Sequence, residues 1–348
     1  MRTTTLRDVA AKAGVSPVTV SVVLNGTRSG TRVSEETRGR IRTAARELGY
    51  HPNAIARGLS RRRMDTLGVV FPAPTRHEVN LYYTPILNGI LEVATERRQY
   101  TTLCTAQTWP DVEETLPTYC DGRCDGLLLI GPPAGSPIVT ELRKRHIPFV
   151  LINDTSSEPD VSTVDVDNVG GAFQMVSHIL SLGHRRIAFF GGDSIMNSSL
   201  QRAEGYRKAF ESFGLKADDS QIFPGYYWRQ HGYEMTHRVM AVSPELRPTA
   251  LFCAGDDIAF GALDALTELK LKVPDDVSVA GFDDILTAAL SQPPLTTVRQ
   301  PHFSIGRRAA EILLDHISYP GCNAQKDIFT PEIVIRGTVG PVRGQPQK

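Results

Sequence analysis

The N-terminal segment 5–26 has the pattern of two short helices joined by a tight turn, and it constrains the fold more than any other stretch. Thr5 and Asp8 have the spacing of a capping box, and apolar residues then recur at helical intervals. Gly14 provides the turn, because glycine readily adopts a left-handed backbone. Ser16 caps the second helix. The pattern therefore predicts a helix-turn-helix. Its second helix directs outward the side chains of Pro17, Val18, Ser21, Val22 and Asn25.

A third helix is predicted to begin after Ser34, with Glu35 and Glu36 in its first turn and an apolar stripe behind them. Charge distinguishes this three-helix head from an ordinary helical bundle. Residues 1–63 contain thirteen Lys or Arg and four Asp or Glu, a net charge of +9. Because the whole chain is neutral, the remainder carries −9. A basic head on an acidic body is typical of a protein that binds nucleic acid.

The outward valines of the second helix support that interpretation. Val18 and Val22 lie one turn apart on a face predicted to meet solvent, where apolar side chains gain little. In a DNA major groove the same methyl groups would contact thymine methyls. The alternative, a helical bundle with no nucleic-acid partner, accounts for neither the valines nor the charge.

From the motif TLRDVA at 5–10 to the motif PLTTVRQ at 294–300, the chain resembles the lactose/galactose repressor family of bacterial transcription regulators. The resemblance implies a homodimer that binds a near-palindromic operator in double-stranded DNA and a small-molecule effector. It implies that DNA phosphates are held by Ser16, Thr19, Ser21 and Asn25, and that the DNA-contacting set also includes Thr5, Leu6, Pro17, Val18 and Val22. The family commonly has Arg or another polar residue where this chain has Val22, which favours readout of a thymine methyl or of DNA shape there.

Residues 51–64 form an arginine-rich segment between the head (1–50) and the body. Asn53 caps a helix of about two turns, which is too short to be stable alone in water, and Gly58 weakens it further. From the residues alone this segment is a flexible basic linker. The resemblance implies a hinge helix that folds on DNA beside its dimer mate in the minor groove. The hinge residues assigned to DNA on this basis are Ile55, Ala56, Arg57 and Leu59, the last as a wedge that opens a base step.

Residues 65–340 alternate short apolar runs with amphipathic helices, which is the pattern of βαβ units on parallel sheets. Two consecutive series predict an α/β body with two lobes. The predicted strands are Leu67–Phe71, Thr101–Thr105, Gly126–Ile130 and Phe149–Ile152 in the first series, and Ile187–Phe190, Ala250–Ala254 and Val277–Gly281 in the second.

The resemblance implies a body similar to periplasmic sugar-binding proteins, whose chain crosses between the lobes three times, here near residues 163, 293 and 322. The first lobe then comprises about 65–162 and 294–321, and the second about 163–293 and 322–340. Residues 341–348 form a tail without the heptads of a coiled coil.

The composition predicts a cytoplasmic protein with no membrane segment, metal or cofactor. No stretch approaches the ~18 apolar residues of a transmembrane helix, and the basic N-terminus lacks an apolar signal segment. The five cysteines are scattered and complete no zinc-binding pattern with histidine.

Ligand-binding residues are expected beyond the carboxyl ends of the parallel strands, in the cleft between the lobes. Asp256 and Asp283 each follow a predicted strand of the second series, and Asn153 follows one of the first. By the family pattern, Arg202 and Asp283 grip the ligand, and Tyr227 stacks on it. The predicted effector-contacting set is Tyr82, Asn153, Arg202, Tyr227, Asp256 and Asp283, with Trp228 as a substitute for Tyr227.

Two cleft positions depart from the family pattern and leave its hydrogen-bond polarity open. Gly255 stands where Asn is frequent, and Asn153 stands where Asp is frequent. The neighbouring acids Asp257 and Asp284 are interpreted as helix caps or loop residues.

An enzyme is the weaker alternative, because the sequence contains no nucleophile elbow, no Walker lysine motif and only a lone glycine pair after a strand. A binding protein without DNA function leaves the basic head unexplained. The sequence thus predicts a repressor whose operator affinity is switched by a small molecule. A sugar or sugar derivative is the first expectation, and a nucleoside or base is the second. Regulation without a ligand is a further alternative.

Overall fold

The computed structural model describes residues 4–25, 32–51, 58, 61, 63–72, 81–106, 109, 114 and 120–342. Its N-terminal head contains α1 (Leu6–Ala13), α2 (Pro17–Asn25) and α3 (Glu35–Glu47). The predicted capping box is present at the start of α1. Asp8 Oδ2 accepts a hydrogen bond from the Thr5 amide at 2.8 Å, and Thr5 Oγ1 accepts one from the Asp8 amide at 3.4 Å.

A small apolar core holds the head together, with one fully buried side chain from each helix: Val9, Val20 and Ile41. Gly14 ends α1 in the left-handed conformation, with a φ of 64°. Because the turn conformation and the apolar spacing both agree with the sequence pattern, the predicted helix-turn-helix is confirmed.

Asn25 differs from its predicted outward position. It is buried, and its Nδ2 donates to Ser21 Oγ at 3.1 Å. Arg61 donates to the backbone carbonyl of Asn25. The chain beyond the head thus covers the last turn of α2, which sequence spacing along one helix does not reveal.

The first lobe is built on a parallel sheet whose described strands, in spatial order, are β11 (Lys326–Phe329), β5 (Ser162–Val166), β4 (Phe149–Ile152), β3 (Gly126–Ile130), β1 (Thr66–Pro72) and β2 (Tyr100–Ala106). Three helices pack on this sheet: α4 (Tyr83–Glu96), α5 (Pro137–Lys144) and α10 (His302–Ser318). The interior strand β3 is buried along its whole length, as its continuous apolar sequence predicts.

The second lobe has its own parallel sheet, in the order β7 (Ile222–Phe223), β6 (Ile187–Phe190), β8 (Ala250–Cys253) and β9 (Ser278–Ala280). Its helices are α6 (Asn168–Ser181), α7 (Asn197–Ser212), α8 (Arg229–Met240) and α9 (Asp256–Glu268). An antiparallel pair, β10 (Thr297–Arg299) and β12 (Glu332–Val334), is attached beside β9 through a bridge from Thr296 to Ala280. The predicted α/β class with two parallel sheets is confirmed. The sequence between 111 and 119 also has the pattern of an amphipathic helix, and these residues lie largely outside the described ranges.

The chain leaves each lobe a few residues later than the sequence suggested. β5 stays in the first sheet up to Val166, and β11 stays there up to Phe329. β10 keeps residues up to 299 on the second lobe. The crossings expected near 163, 293 and 322 therefore fall before the strand ends. Backbone hydrogen bonds to neighbouring strands hold these short segments in place, although their apolar signal is weak.

Helices α8 and α9 approach each other closely through two glycines. A Cβ at Gly232 would lie 1.9 Å from the Ile258 carbonyl oxygen, and a Cβ at Gly261 would lie 1.8 Å from the Arg229 carbonyl oxygen. In both cases the nearest atoms belong to the backbone of the facing helix, so the clash cannot be relieved by movement of a side chain.

We expect Gly232→Ala to lower the free energy of unfolding by about 1–3 kcal/mol, because the added methyl group forces the two helices apart. Chemical denaturation followed by circular dichroism measures the change. Glu211→Ala, at an exposed position of α7, serves as the control and should change stability by less than about 0.5 kcal/mol. Equal midpoints for both variants would contradict the close packing.

Candidate functional site

The carboxyl ends of the strands in both lobes meet across a cleft, and Arg202 of α7 lies buried at its centre. Its Nε donates to Asn168 Oδ1 at 2.9 Å, and its Nη1 donates to the Ala254 carbonyl. The guanidinium carbon lies 3.7 Å from the centre of the Phe282 ring. These contacts hold the planar guanidinium in one orientation, which suits it to bind paired oxygen atoms.

Asp283 lies beside this guanidinium, with 3.8 Å between its Oδ1 and Arg202 Nη1. Gln300 Nε2 donates to the same carboxylate oxygen at 2.6 Å. Burial raises the pKa of Asp283 to about 7, although the Arg202 charge opposes the shift. The backbone of Asp283 has a φ of 128°, a conformation that non-glycine residues rarely adopt. The predicted Arg202–Asp283 pair is therefore brought together, and its carboxyl titrates near neutrality.

Asp256, in contrast, lies inside the second lobe. It is fully buried, its Oδ1 accepts from the Thr297 hydroxyl at 2.5 Å, and its Oδ2 accepts from the Ile285 amide at 2.9 Å. Burial, followed by the charge of Asp283, raises its pKa. With both oxygens engaged by the protein, Asp256 braces the chain around β10, and this placement does not fit the predicted contact with an effector.

In the first lobe, the structure brings Tyr82 and Asn153 together on the side of the cleft. Asn153 has a φ of 54°, and its Nδ2 donates to the Tyr82 hydroxyl. The Tyr82 ring meets His302 edge to face, with 4.8 Å between ring centres. Burial, followed by the Asp283 charge, raises the pKa of Tyr82. Tyr82 therefore keeps its proton and remains able to donate a hydrogen bond.

Tyr227 and Trp228 point to opposite sides of their segment, as neighbouring residues of an extended chain do. Tyr227 enters the cleft, and its hydroxyl lies 3.1 Å from Ser198 Oγ. A Cβ at Gly255 would lie 3.3 Å from both Asp283 Oδ2 and Tyr227 Cδ1, so a larger residue there would crowd the ring. Trp228 is 63% exposed on the outer surface, so it does not substitute for Tyr227.

Three buried polar atoms of the cleft have no hydrogen-bond partner among the described residues: Asn153 Oδ1, Gln300 Oε1 and His302 Nε2. Burial lowers the pKa of His302 to about 3, so its ring is neutral at physiological pH. An unpaired buried polar atom typically costs about 1–3 kcal/mol, so its retention at a cleft suggests an external partner. Sequence reasoning missed Gln300 and His302. The available signal was their position on either side of Pro301, at the second crossing.

The mouth of the cleft is spanned by direct contacts between the lobes. The Ala134 amide donates to the Ile195 carbonyl at 2.8 Å. Asn197 Nδ2 donates to Asp154 Oδ1 at 2.7 Å and to the Thr155 carbonyl at 3.2 Å. Burial raises the pKa of Asp154 to about 6. The lobes are therefore closed on each other in this structure.

On the head, α2 presents part of the predicted DNA-contacting set to solvent. Ser16 Oγ accepts from the Thr19 amide at 3.2 Å and caps the helix, and Pro17 and Val18 are exposed, Val18 by 65%. Half-buried members of the set are Leu6, Thr19, Ser21 and Val22, while Thr5 is exposed and Asn25 is buried. The hinge predictions Ile55, Ala56, Arg57 and Leu59 lie outside the described residues.

Two features are absent from the described residues. No helix there combines the length and apolarity needed to cross a bilayer. Within the same ranges, no three His, Cys, Asp or Glu side chains are grouped so as to hold a metal ion.

The head and the body each match a known protein family. Residues 5–53 match the family of bacterial regulatory proteins called the lacI family, and residues 176–339 match the periplasmic binding protein-like domain. The HTH-type transcriptional repressor PurR of Haemophilus influenzae strain PittEE is 32% identical over 340 residues, covering 96% of this chain and 98% of PurR.

Two solved structures resemble the whole chain. The complex of the transcriptional regulator CelR with cellobiose is 31% identical and has a TM-score of 0.74, covering 96% of this chain and 99% of CelR. The lac repressor dimer bound to operator and the anti-inducer ONPF has a TM-score of 0.82 at 24% identity, covering 97% of this chain and 99% of that one. At that identity the second likeness shows the shared fold alone.

The buried carboxyl of Asp165 in β5 generates a prediction about pH. Its Oδ1 accepts from the Val166 amide at 2.7 Å, yet burial raises its pKa to about 7. An unfolded aspartate titrates near 3.9. The folded protein therefore binds the extra proton between about pH 4 and 7, and this carboxyl makes folding less favourable as the pH rises through that window.

Asp165→Asn cannot ionise, so we expect its stability relative to the parent protein to increase with pH, by about 1.4 kcal/mol per pH unit within that window. Urea denaturation at pH 5, 6 and 7 measures the difference. Asp160→Asn, which alters an exposed carboxylate paired with Arg143, is the control for the amide itself. A pH-independent difference for Asp165→Asn would show that this carboxyl is already ionised in the folded protein.

Proposed function

We propose, because the chain belongs to the lacI family of bacterial regulatory proteins, that a small molecule bound between its two lobes switches its affinity for an operator. The chain is a DNA-binding transcriptional repressor of that family. We propose, in addition, the class of effector, the residues that hold it, the dimer and the mechanism of the switch.

DNA binding is assigned to the head and hinge, that is, to residues 1–50 and 51–64. The net charge of +9 on residues 1–63 favours contact with phosphates and predicts an affinity that falls steeply with salt. The exposed start of α2 suits it to enter the major groove, with Val18 directed at base edges. In a homodimer, two heads meet the two halves of a near-palindromic operator, and Leu59 of each hinge wedges into the minor groove between them.

A sugar or sugar derivative is the effector class that we favour. The observation that carries this choice is the set of unpartnered buried atoms, namely Asn153 Oδ1, Gln300 Oε1 and His302 Nε2. Two of these are acceptors, and a hydroxyl group donates to such atoms while also accepting from Arg202. The Tyr227 ring provides a surface for the apolar face of a sugar ring. The cellobiose complex of CelR, 31% identical, agrees with this class.

A nucleoside or base is the second candidate, because a flat ring also stacks on Tyr227 and pairs with the Arg202–Asp283 couple. A thermal-shift screen of sugars, nucleosides and bases separates the two classes. Stabilisation by bases alone would replace the sugar proposal, and a response to neither class would favour regulation without a ligand.

The switch follows from the contacts that join the lobes. A ligand changes the equilibrium between closed and open lobes only to the extent that it binds one of them more tightly. Arg202 and Asn153 approach the ligand site from different lobes, so a ligand that bridges them favours the closed state. A change in lobe angle alters the spacing of the two hinges in a dimer, and hence their ability to fold in the minor groove.

Val18→Ser tests the DNA-facing surface. We expect the affinity for the duplex that the parent protein selects from a random library to fall by roughly 1–2 kcal/mol, because a base-edge contact is lost. The salt dependence should not change, because no charge is removed. Fluorescence anisotropy measures both. Leu246→Ser alters an apolar residue of similar exposure, 67%, on the second lobe, and it should bind like the parent protein. Equal affinities for both variants would show that Val18 does not contact base edges.

Arg202→Ala tests the cleft. We expect it to weaken effector binding at least tenfold, about 1.4 kcal/mol. If the effector is an inducer, the variant retains operator binding without effector. Isothermal titration with the ligand found by the screen measures the loss. Arg207→Ala, five residues further along α7 and exposed, is the matched control.

Removal of a buried guanidinium also reduces stability, so a second variant keeps this test decisive. His302→Phe preserves the aromatic packing against Tyr82 and removes the unpartnered Nε2. We expect it to fold normally and to bind the effector several-fold more weakly. If both variants bind as tightly as the parent protein, the ligand lies elsewhere.

A further inference from the structure

A second concave surface lies on the outer side of the second lobe, between residues 219–226 and helix α8. Its floor is apolar and consists of Ile222, Phe223 and Met235. In the described part of the chain, β7 is the outermost strand of this sheet, so the groove runs along the sheet edge. We call this surface the outer groove. It lies on the side of the 226–228 segment away from the cleft.

Two aromatic rings form one wall of the outer groove. Tyr226 and Trp228 stack with 5.0 Å between their ring centres and 19° between their planes. They are 55% and 63% exposed, although soluble proteins seldom leave two large rings so open to water. Tyr227, between them in sequence, turns the other way into the cleft. The segment therefore offers one ring to the cleft and a flat aromatic surface to the outside.

The rim of the outer groove is polar, and each of its two carboxylates is engaged by a neighbouring side chain. Asp219 forms an ion pair with Arg207 at 2.8 Å, and Glu234 accepts from Gln230 at 2.8 Å. The Arg238 guanidinium lies 5.7 Å from the centre of the Phe223 ring. The lining thus includes two carboxylates and one cation. This composition favours a neutral ligand with several hydrogen-bonding groups over a strongly charged one.

We infer that the outer groove is a second carbohydrate-binding site, separate from the cleft. The apolar face of a pyranose ring packs on the Tyr226–Trp228 surface, and its hydroxyl groups reach Asp219, Gln230 and Glu234 on the rim. An elongated ligand follows the open edge of β7, so the site suits a linear oligosaccharide. This inference rests on the groove alone and does not depend on the proposed effector cleft.

Intrinsic fluorescence tests it directly, because the chain has two tryptophans in very different surroundings. Trp109 is 5% exposed, whereas Trp228 is 63% exposed and forms part of the proposed site. The full-length protein is titrated with cellotetraose, a linear neutral probe. We expect a saturable blue shift of the emission, because the sugar displaces water from Trp228. A shift that is absent, or that grows linearly without saturation, overturns the site.

Variants locate the probe. Tyr226→Ala keeps the fluorescent reporter and removes its stacking partner, so we expect at least fivefold weaker binding. Tyr319→Ala removes a tyrosine that is 69% exposed on the first lobe, and it should bind like the parent protein. Arg202→Ala should leave the titration unchanged. If Arg202→Ala abolishes the shift while Tyr226→Ala does not, the probe enters the cleft and the outer groove is not a site.

Discussion

A single buried guanidinium holds together several segments of the second lobe and the chain that leaves it. Arg202 binds Asn168, which follows the first crossing between the lobes, and Ala254, which follows β8. It also lies beside Asp283, whose carboxylate is held by Gln300 at the second crossing. Removing one member of such a buried charged network typically costs several kcal/mol, because the remaining groups lose their partners. Stability and the proposed recognition of the effector therefore depend on the same side chain.

The head could be predicted from sequence because its determinants are local. Capping by Thr5, the turn at Gly14 and the stripe around Ile41 each depend on residues a few positions apart. The buried parallel strands were predictable for a similar reason, since β3 and β6 are uninterrupted apolar runs. The strands β5, β10 and β11 were not, because polar residues interrupt them and distant neighbours hold them in their sheets.

The cleft was predictable in outline but not in the direction of its side chains. The ends of the parallel strands pointed to Asp283 and Asn153, and the family resemblance pointed to Arg202. Their contact with a ligand stays a prediction. Whether a carboxylate turns toward the cleft depends on partners far away in sequence, as Thr297 shows by drawing Asp256 inward. Trp228 was predicted as a substitute for Tyr227, but neighbouring side chains in an extended segment point to opposite sides. Trp228 therefore faces away from the cleft.

The two crossings that leave the first sheet do so side by side. Val166 and Phe329 are paired at the ends of neighbouring parallel strands, so both connections depart at the same level of the sheet. Two adjacent connections between the lobes define a hinge axis, whereas one connection would act as a pivot. The lobes can bend about that axis, but the second connection resists a twist of one lobe relative to the other. In the proposed switch, opening of the lobes would thereby be directed into one plane, and the hinge segments of a dimer would separate along one direction.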